Sequence, residues 1–307
     1  MMSICVTDLF IYPVKSLRGI RLERAQLDIR GLEDDRRWMI IDDNNKFVTQ
    51  RRLPTMALVQ TQLTDSHLIL KSAHGECAIA REYAGKGAPF SAVIWGDNVQ
   101  VLDEGDAVSA WLSEALNEKN SGEQHVNEKN VTRQKKWRLV RLANQPRPMS
   151  KPQYLGEQTH TVFADMAPLL MANQASLDAL NAALAAKGET PVPMNRFRPN
   201  IVITGLAAFA EHKLAGLMGQ GYNIRFGYPC ERCVMPSIDQ MTAEKHPSME
   251  PYITLRSINS MPAYGKGESA KPANPKAAAF GENAYLAQAQ SCLVLVGDKF
   301  QVLHDAS

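Results

Sequence analysis

Residues 228–239 read YPCERCVMPSID and set Cys230 and Cys233 on either side of Glu231-Arg232. How this pair is read decides which fold the chain needs. A structural zinc ion wants four protein ligands, so a second Cys or His pair should accompany the first. Downstream, His246 and Cys292 each stand alone. A thioredoxin-like dithiol wants its pair at the start of a helix that follows a strand, whereas VMPSID contains Pro236 and no helical stripe. Two readings stay open beside these. Both cysteines can be merely packed, or one thiolate can bind a soft metal that brings its other ligands with it, with Arg232 helping to keep the sulfur ionised.

Composition narrows the field. The chain has 307 residues, 45% hydrophobic and 21% charged, which is ordinary for a globular protein with room for two domains. A formal net charge of +2 gives no argument for a nucleic-acid or membrane partner. The five cysteines are odd in number and widely scattered, a poor disulfide framework that suits a reducing compartment. The N-terminal MMSICVTDLFIYPVKSL lacks a signal peptide's long apolar run, and no apolar stretch is long enough to span a bilayer. A cytoplasmic protein is the expectation.

Outward from the cysteine pair, the pattern is mostly that of strands. SICVTDLFIYPVKSLRG offers a strand stopped at Tyr12-Pro13, because proline cannot continue a ladder. RRWMIIDDNNKFVTQR predicts a hairpin, MALVQTQLT and HLILKSA predict further strands, and FSAVIWGDNVQVLDEG predicts another hairpin around Gly96-Asp97-Asn98. The period then changes: Val108, Trp111, Leu112 and Leu116 fall at helical spacing. The polar stretch 119–136 predicts a linker and a domain boundary. Beyond it WRLVRLA is a predicted strand, and Ser176 is the expected N-cap of a helix with Leu177, Leu180, Ala183 and Leu184 as its stripe and Gly188 as its stop. RPNIVITG and NIRFGYP predict strands, residues 259–282 a mobile Gly/Pro/Lys-rich surface loop, and SCLVLVGDKFQVLH a terminal hairpin about Gly297-Asp298.

Cations recur beside turns: Lys15-Ser16 after the Tyr12-Pro13 turn, Arg36-Arg37 and Arg51-Arg52 at the ends of the first hairpin, and Arg196 and Arg198 before a buried-type strand. Arginine in such places suits bidentate phosphate binding.

Seven stretches in order, IYPVKSLRG, LEDDRRWMIID with FVTQRRLP, WGDNVQVLDEGDAVSAWLSEAL, VFADMAPLLMANQASLDALN, RFRPNIVITG, CERCVMPSID and FGENAYLA, resemble the MOSC domain proteins, which carry the molybdenum cofactor. The resemblance is closest to the two-part members, the bacterial YcbX-like proteins and the mitochondrial amidoxime-reducing component, and covers nearly the whole chain. It implies a β-rich α+β protein: an N-terminal β-barrel-like domain over 1–120, then a MOSC β-barrel domain with flanking helices over 121–307. By the same resemblance Cys233 is the molybdenum ligand, and Lys15, Ser16, Arg36, Arg198, Asn200, Arg232 and Asn283 anchor the pterin. In that family the metal's other ligands are the pterin's two dithiolene sulfurs plus oxo or hydroxo groups, so the resemblance implies that a lone protein thiolate suffices. Asp239 is the expected proton carrier or outer partner of the metal, with a turn-forming carboxylate as the plainer alternative. Where the family has Thr-Thr-Val-Asp, this chain has Pro236-Ser237-Ile238-Asp239, so hydroxyl contacts near the metal should differ. The implied activity is reduction of small N-hydroxylated compounds (hydroxylamines, amidoximes, N-hydroxylated bases). Many YcbX-like relatives add a ferredoxin domain, and Cys-x4-Cys-x2-Cys is missing from this sequence. The expected electron source is therefore a separate flavin or ferredoxin-type reductase. The alternative is a cofactor carrier or a sulfur-transfer protein.

Overall fold

The computed structural model describes residues 3–116, 136–143, 147–148, 151–156, 159–288 and 290–303. The expected linker lies almost wholly outside them.

Seven strands close a barrel: β1 (Ile4–Ile11), β2 (Leu169–Asn173), β3 (Ile201–Thr204), β4 (Gly216–Met218), β5 (Asn223–Arg232), β6 (Asn274–Leu286) and β7 (Lys299–Leu303). Their order is β2-β3-β1-β7-β4-β5-β6, and pairing of β6 with β2 closes the ring. All pairs are antiparallel except β2–β3, which run parallel with helix α1 (Gln174–Ala185) as the crossover. Closure depends on a glycine. Gly281 sits in β6 with φ +75°, and a Cβ there would lie 2.4 Å from the Met171 carbonyl of β2.

Along β1, Ile4, Val6, Leu9 and Ile11 face the barrel core with Leu27, Met171, Ile201 and Ile224. The step from Val6 to Leu9 breaks strict alternation because a bulge between Val6 and Asp8 shifts the register against β3. Beside the barrel stands a second, four-stranded sheet that forms a half-barrel, in the order Trp38–Ile41, Arg138–Leu142, Asp97–Asp103, Phe90–Ile94. The helix Asp106–Leu116 packs Val108, Leu112 and Leu116 into the cluster around Trp38 and Leu68, as its period predicts. No described helix is long and apolar enough to cross a membrane.

The β-rich α+β class with barrel domains is what the structure shows. Sheet membership, however, does not follow a division at residue 120. β1 is a barrel strand paired with β3 and β7, while Arg138–Leu142 pairs with Trp38–Ile41 and Asp97–Asp103 in the half-barrel. Three local expectations also need correction. The cap of α1 is Asn173, whose side chain accepts from the Ala175 N–H. Ser176 lies inside the helix, buried, with its hydroxyl on Glu211. The Gly297-Asp298 turn does not join two paired strands: Cys292–Leu295 pairs with Arg24–Asp28, and β7 goes to the barrel. Residues 274–286, expected within or beside a loop, form the longest described strand, because Ala277, Ala278, Ala279 and Phe280 are buried against its neighbours.

The chain leaves β1 at Tyr12 and crosses to the half-barrel, where the Lys15 N–H donates to the Trp38 carbonyl and Arg36 N–H returns to the Tyr12 carbonyl. One buried amide pair fastens this crossing. Gln50 and Gln240 exchange hydrogen bonds of 3.2 and 3.1 Å, and Gln50 Nε2 also donates to the Ser16 carbonyl at 2.8 Å. Gln50→Leu leaves Gln240 Oε1 and the Ser16 carbonyl without this donor, while Gln240 Nε2 keeps the Ile238 carbonyl, so it should lower stability by about 1–3 kcal/mol in urea unfolding. The double variant Gln50→Leu/Gln240→Leu should recover part of that loss. A single variant as stable as the parent would show that the pair contributes nothing.

Candidate functional site

A cavity of about 250 Å³ opens where the barrel meets the half-barrel. Segments far apart in sequence line it: Lys15 and Ser16 from the crossing, Arg36 before the half-barrel's first strand, Arg198 and Asn200 before β3, the end of β5, and Asn283 of β6. Four of its non-glycine residues, Ser16, Arg36, Trp95 and Arg198, hold left-handed backbone with φ of 67°, 47°, 53° and 56°. Such conformations are uncommon for residues with a Cβ and collect where the surroundings fix a functional geometry.

Its positive wall is built on Tyr12. The guanidinium carbons of Arg36 and Arg198 lie 4.4 and 4.1 Å from the centroid of this buried ring. Burial pushes the Tyr12 phenol up to about 12, so it stays neutral, and its hydroxyl donates to the Pro199 carbonyl at 3.2 Å. Arg36 is balanced by Asp35 at 2.5 Å and also reaches Asn200 Oδ1 at 3.2 Å. Arg198 has a carbonyl partner, Leu17 at 2.7 Å, but no salt bridge among the described residues. Burial, and then the Arg36 charge, push its pKa down to about 10. Because that lies below the group's ordinary 12.5, the charged guanidinium opposes folding at every pH below about 10, and a bound anion would offset the penalty.

The cysteine pair is split in environment. Cys230 lies within β5, beside a register shift between Pro229 and Glu231, and is buried. Burial pushes its thiol up despite the Arg232 guanidinium, whose Nη1 is 3.1 Å from the sulfur. Cys233 follows the end of β5, lines the cavity and is exposed. Arg232 Nη2 donates to the Phe197 carbonyl at 3.0 Å, while its Nε is buried with no partner among the described residues.

All seven expected anchoring residues and Cys233 therefore line one cavity. Two of the seven, Lys15 and Asn200, brace the wall. Lys15 Nζ is bonded to Asp165 Oδ1 and to the Phe163 carbonyl. Asn200 ties Phe10, Leu170 and Arg36 together through its amide. Asp239 is not brought to the cavity. It accepts from the Met241 and Thr242 N–H groups and pairs with Arg196 at 2.6 Å, so its carboxylate shapes the turn after Cys233. Arg196 and those two N–H groups hold its pKa below the usual range against the opposing effect of burial. Sequence reading missed Tyr12 as the platform, Asp35 as the Arg36 counterion, and Asp165 and Trp95 in the wall, whereas Arg51, one of the cations expected beside a turn, does line the cavity. Asp165 stood inside a quoted motif and Trp95 beside a predicted hairpin turn, but neither had a spacing that marks a site.

The chain is a MOSC domain protein. The MOSC N-terminal beta barrel domain matches residues 3–119 and the MOSC domain residues 158–265. It is similar to mitochondrial amidoxime reducing component 2 of Bos taurus, 29% identical over 82% of this chain and 71% of that protein. It is also similar to mitochondrial amidoxime-reducing component 1 of Homo sapiens, 26% identical over 92% and 82%. A molybdenum cofactor sulfurase of Danio rerio is 29% identical over 84% of this chain but only 31% of its own length. The family and these relatives connect the chain with the molybdenum cofactor.

An anion should recover what the crowded guanidiniums cost. Inorganic phosphate, compared with chloride at equal ionic strength, should raise the Tm of cofactor-free protein by roughly 2–4 °C, the response of a chain this size to about 1 kcal/mol of ligand binding. The shift should fade as pH climbs through about 10, where Arg198 loses its proton. Arg198→Met should reduce it strongly, and an undiminished shift in that variant would place the anion elsewhere.

Proposed function

We propose that the protein is a molybdenum-cofactor-dependent reductase of N-hydroxylated compounds, located in the cytoplasm and supplied with electrons by a separate flavin or ferredoxin-type partner. One observation carries this reading: the exposed sulfur of Cys233 shares a cavity with Arg198 and Arg232, neither of which has a carboxylate partner among the described residues. The residues fit such a cofactor. The orphaned Arg232 Nε and the unbalanced Arg198 guanidinium ask for an anion, and a thiolate is the ligand that a soft metal prefers.

Cys233 would ligate the metal. Ser16, Arg36, Arg198, Arg232 and Asn283 would hold the phosphate-bearing pterin, while Lys15 and Asn200 fix the walls around it. When bound, the cofactor would supply the two-electron chemistry. In the net reaction the substrate's N–O bond breaks, two electrons arrive from the partner, two protons are taken up, and oxygen leaves as water. Buried Cys230, held as the neutral thiol, keeps the Arg232 guanidinium in place at 3.1 Å without competing for the metal. Asp239 is assigned no proton role in this scheme, since Arg196 and two backbone donors occupy it.

Elemental analysis of protein made in cells that synthesise the cofactor provides the test, together with benzamidoxime reduction driven by reduced viologen. Wild type and Cys230→Ala should retain molybdenum, with measurable turnover in both. Cys233→Ala should lose activity and most of the metal. Equal loss in the two variants would favour a shared dithiol site. Sulfur bound in place of molybdenum would favour the sulfur-transfer role that the sulfurase relatives bring to mind.

A further inference from the structure

We propose that Asp165 is a specificity residue of this cavity: its carboxylate receives the N–H donors of an amidine-type group, so planar compounds with an amino group beside the N–O bond are preferred over simple alkylhydroxylamines.

The geometry is that of a half-used acceptor. Asp165 Oδ1 is bonded to Lys15 Nζ and, at 2.8 Å, to Trp95 Nε1. No described group donates to Oδ2, and the side chain is 46% exposed while lining the cavity. A carboxylate with one oxygen fixed by two donors is aimed, and the other oxygen's lone pairs stay available for a ligand. Burial alone would push its pKa up, yet Lys15, Trp95 and Arg36 bring it below the usual range, so it is an acceptor only. Lys15 satisfies its charge in part. A ligand offering neutral or cationic N–H groups completes the hydrogen bonding at Oδ2, while an anionic ligand is repelled there.

Trp95 adds the shape. This indole is 45% exposed, has left-handed backbone at φ 53°, and is held by its bond to Asp165 and by Phe47, whose ring centroid is 4.7 Å away. The Arg51 guanidinium lies 4.9 Å from the ring centroid. An exposed flat surface joined by a hydrogen bond to an open carboxylate suits a planar ring bearing an amidine edge. The other carboxylate of the cavity wall, Glu231, is exposed and has no side-chain hydrogen bond to aim it among the described residues. Asp165 is therefore the carboxylate held in position to meet a ligand.

The inference rests on the reductase reading for its consequence in turnover, but its binding half stands apart. Benzamidine, which carries the amidine edge without the N–O bond, is the probe for calorimetric titration of the cofactor-loaded protein. Asp165→Asn should weaken its binding by at least about tenfold, the scale of a hydrogen bond to a charged group. The ratio of kcat/KM for benzamidoxime over N-methylhydroxylamine should fall by a similar factor, chiefly through KM for benzamidoxime. Trp95→Phe leaves the carboxylate and its Lys15 partner in place but removes one anchor, and should weaken benzamidine by roughly threefold or more. It covers the case in which Asp165→Asn does not fold. Unchanged benzamidine affinity in both variants overturns the proposal, as does a loss found with Glu231→Gln and not with Asp165→Asn. Asp165-dependent benzamidine binding with no turnover of either substrate sinks the reductase reading and leaves this inference standing.

Discussion

Two guanidiniums resting on one buried phenol ring set the terms for the rest of this molecule. Arg36 and Arg198 repel each other, and the low-polarity surroundings of Tyr12 make that repulsion stronger than it would be in water. Asp35 balances only one of them. The remaining charge can persist because neighbouring groups leave neither arginine an alternative position: the Arg198 carbonyl receives Arg36, the Leu17 carbonyl receives Arg198, and Asn200 braces the pair. The left-handed backbone at both arginines belongs to the same arrangement. Strain and charge crowding are thus concentrated where a ligand can relieve them, an expected feature of a preorganised binding site.

Legibility in the sequence followed the range of the interaction. Strand and helix identities that rest on local period, such as Ile4–Ile11, Asp97–Asp103 and Asp106–Leu116, were readable from alternation and spacing. Partnerships were not. Nothing in SCLVLVGDKFQVLH says that its two arms join different sheets, because that choice is made by β1 and by Arg24–Asp28. The alanines at 277–279 fall inside the stretch whose Gly, Pro and Lys content predicts a loop, yet small side chains are what a crowded position beside two neighbouring strands accepts.

The site shows the same division. Its cations could be found one by one, each next to a turn, and the family resemblance gathered them. Their counterparts could not. Tyr12, Asp35 and Asp165 act through contacts that cross the chain, and an isolated tyrosine or aspartate has no spacing that announces such a role. Asp239 was the reverse case. Its position after Cys233 attracted a catalytic reading, whereas the backbone N–H groups two and three residues on explain it locally.

The barrel's first strand lies against its last: Ile4 faces Phe300 and Cys5 faces Lys299. During synthesis β1 must wait for every residue from Tyr12 to Asp298 before β7 can pair with it. Ring closure is then a late event with a large loop-closure cost, which makes for slow folding. Until then only the Ile4–Cys5 end of that edge lacks its partner, because Ile20–Leu22, next along the chain, pairs with Leu9–Ile11 and shortens the edge left open to a wrong strand.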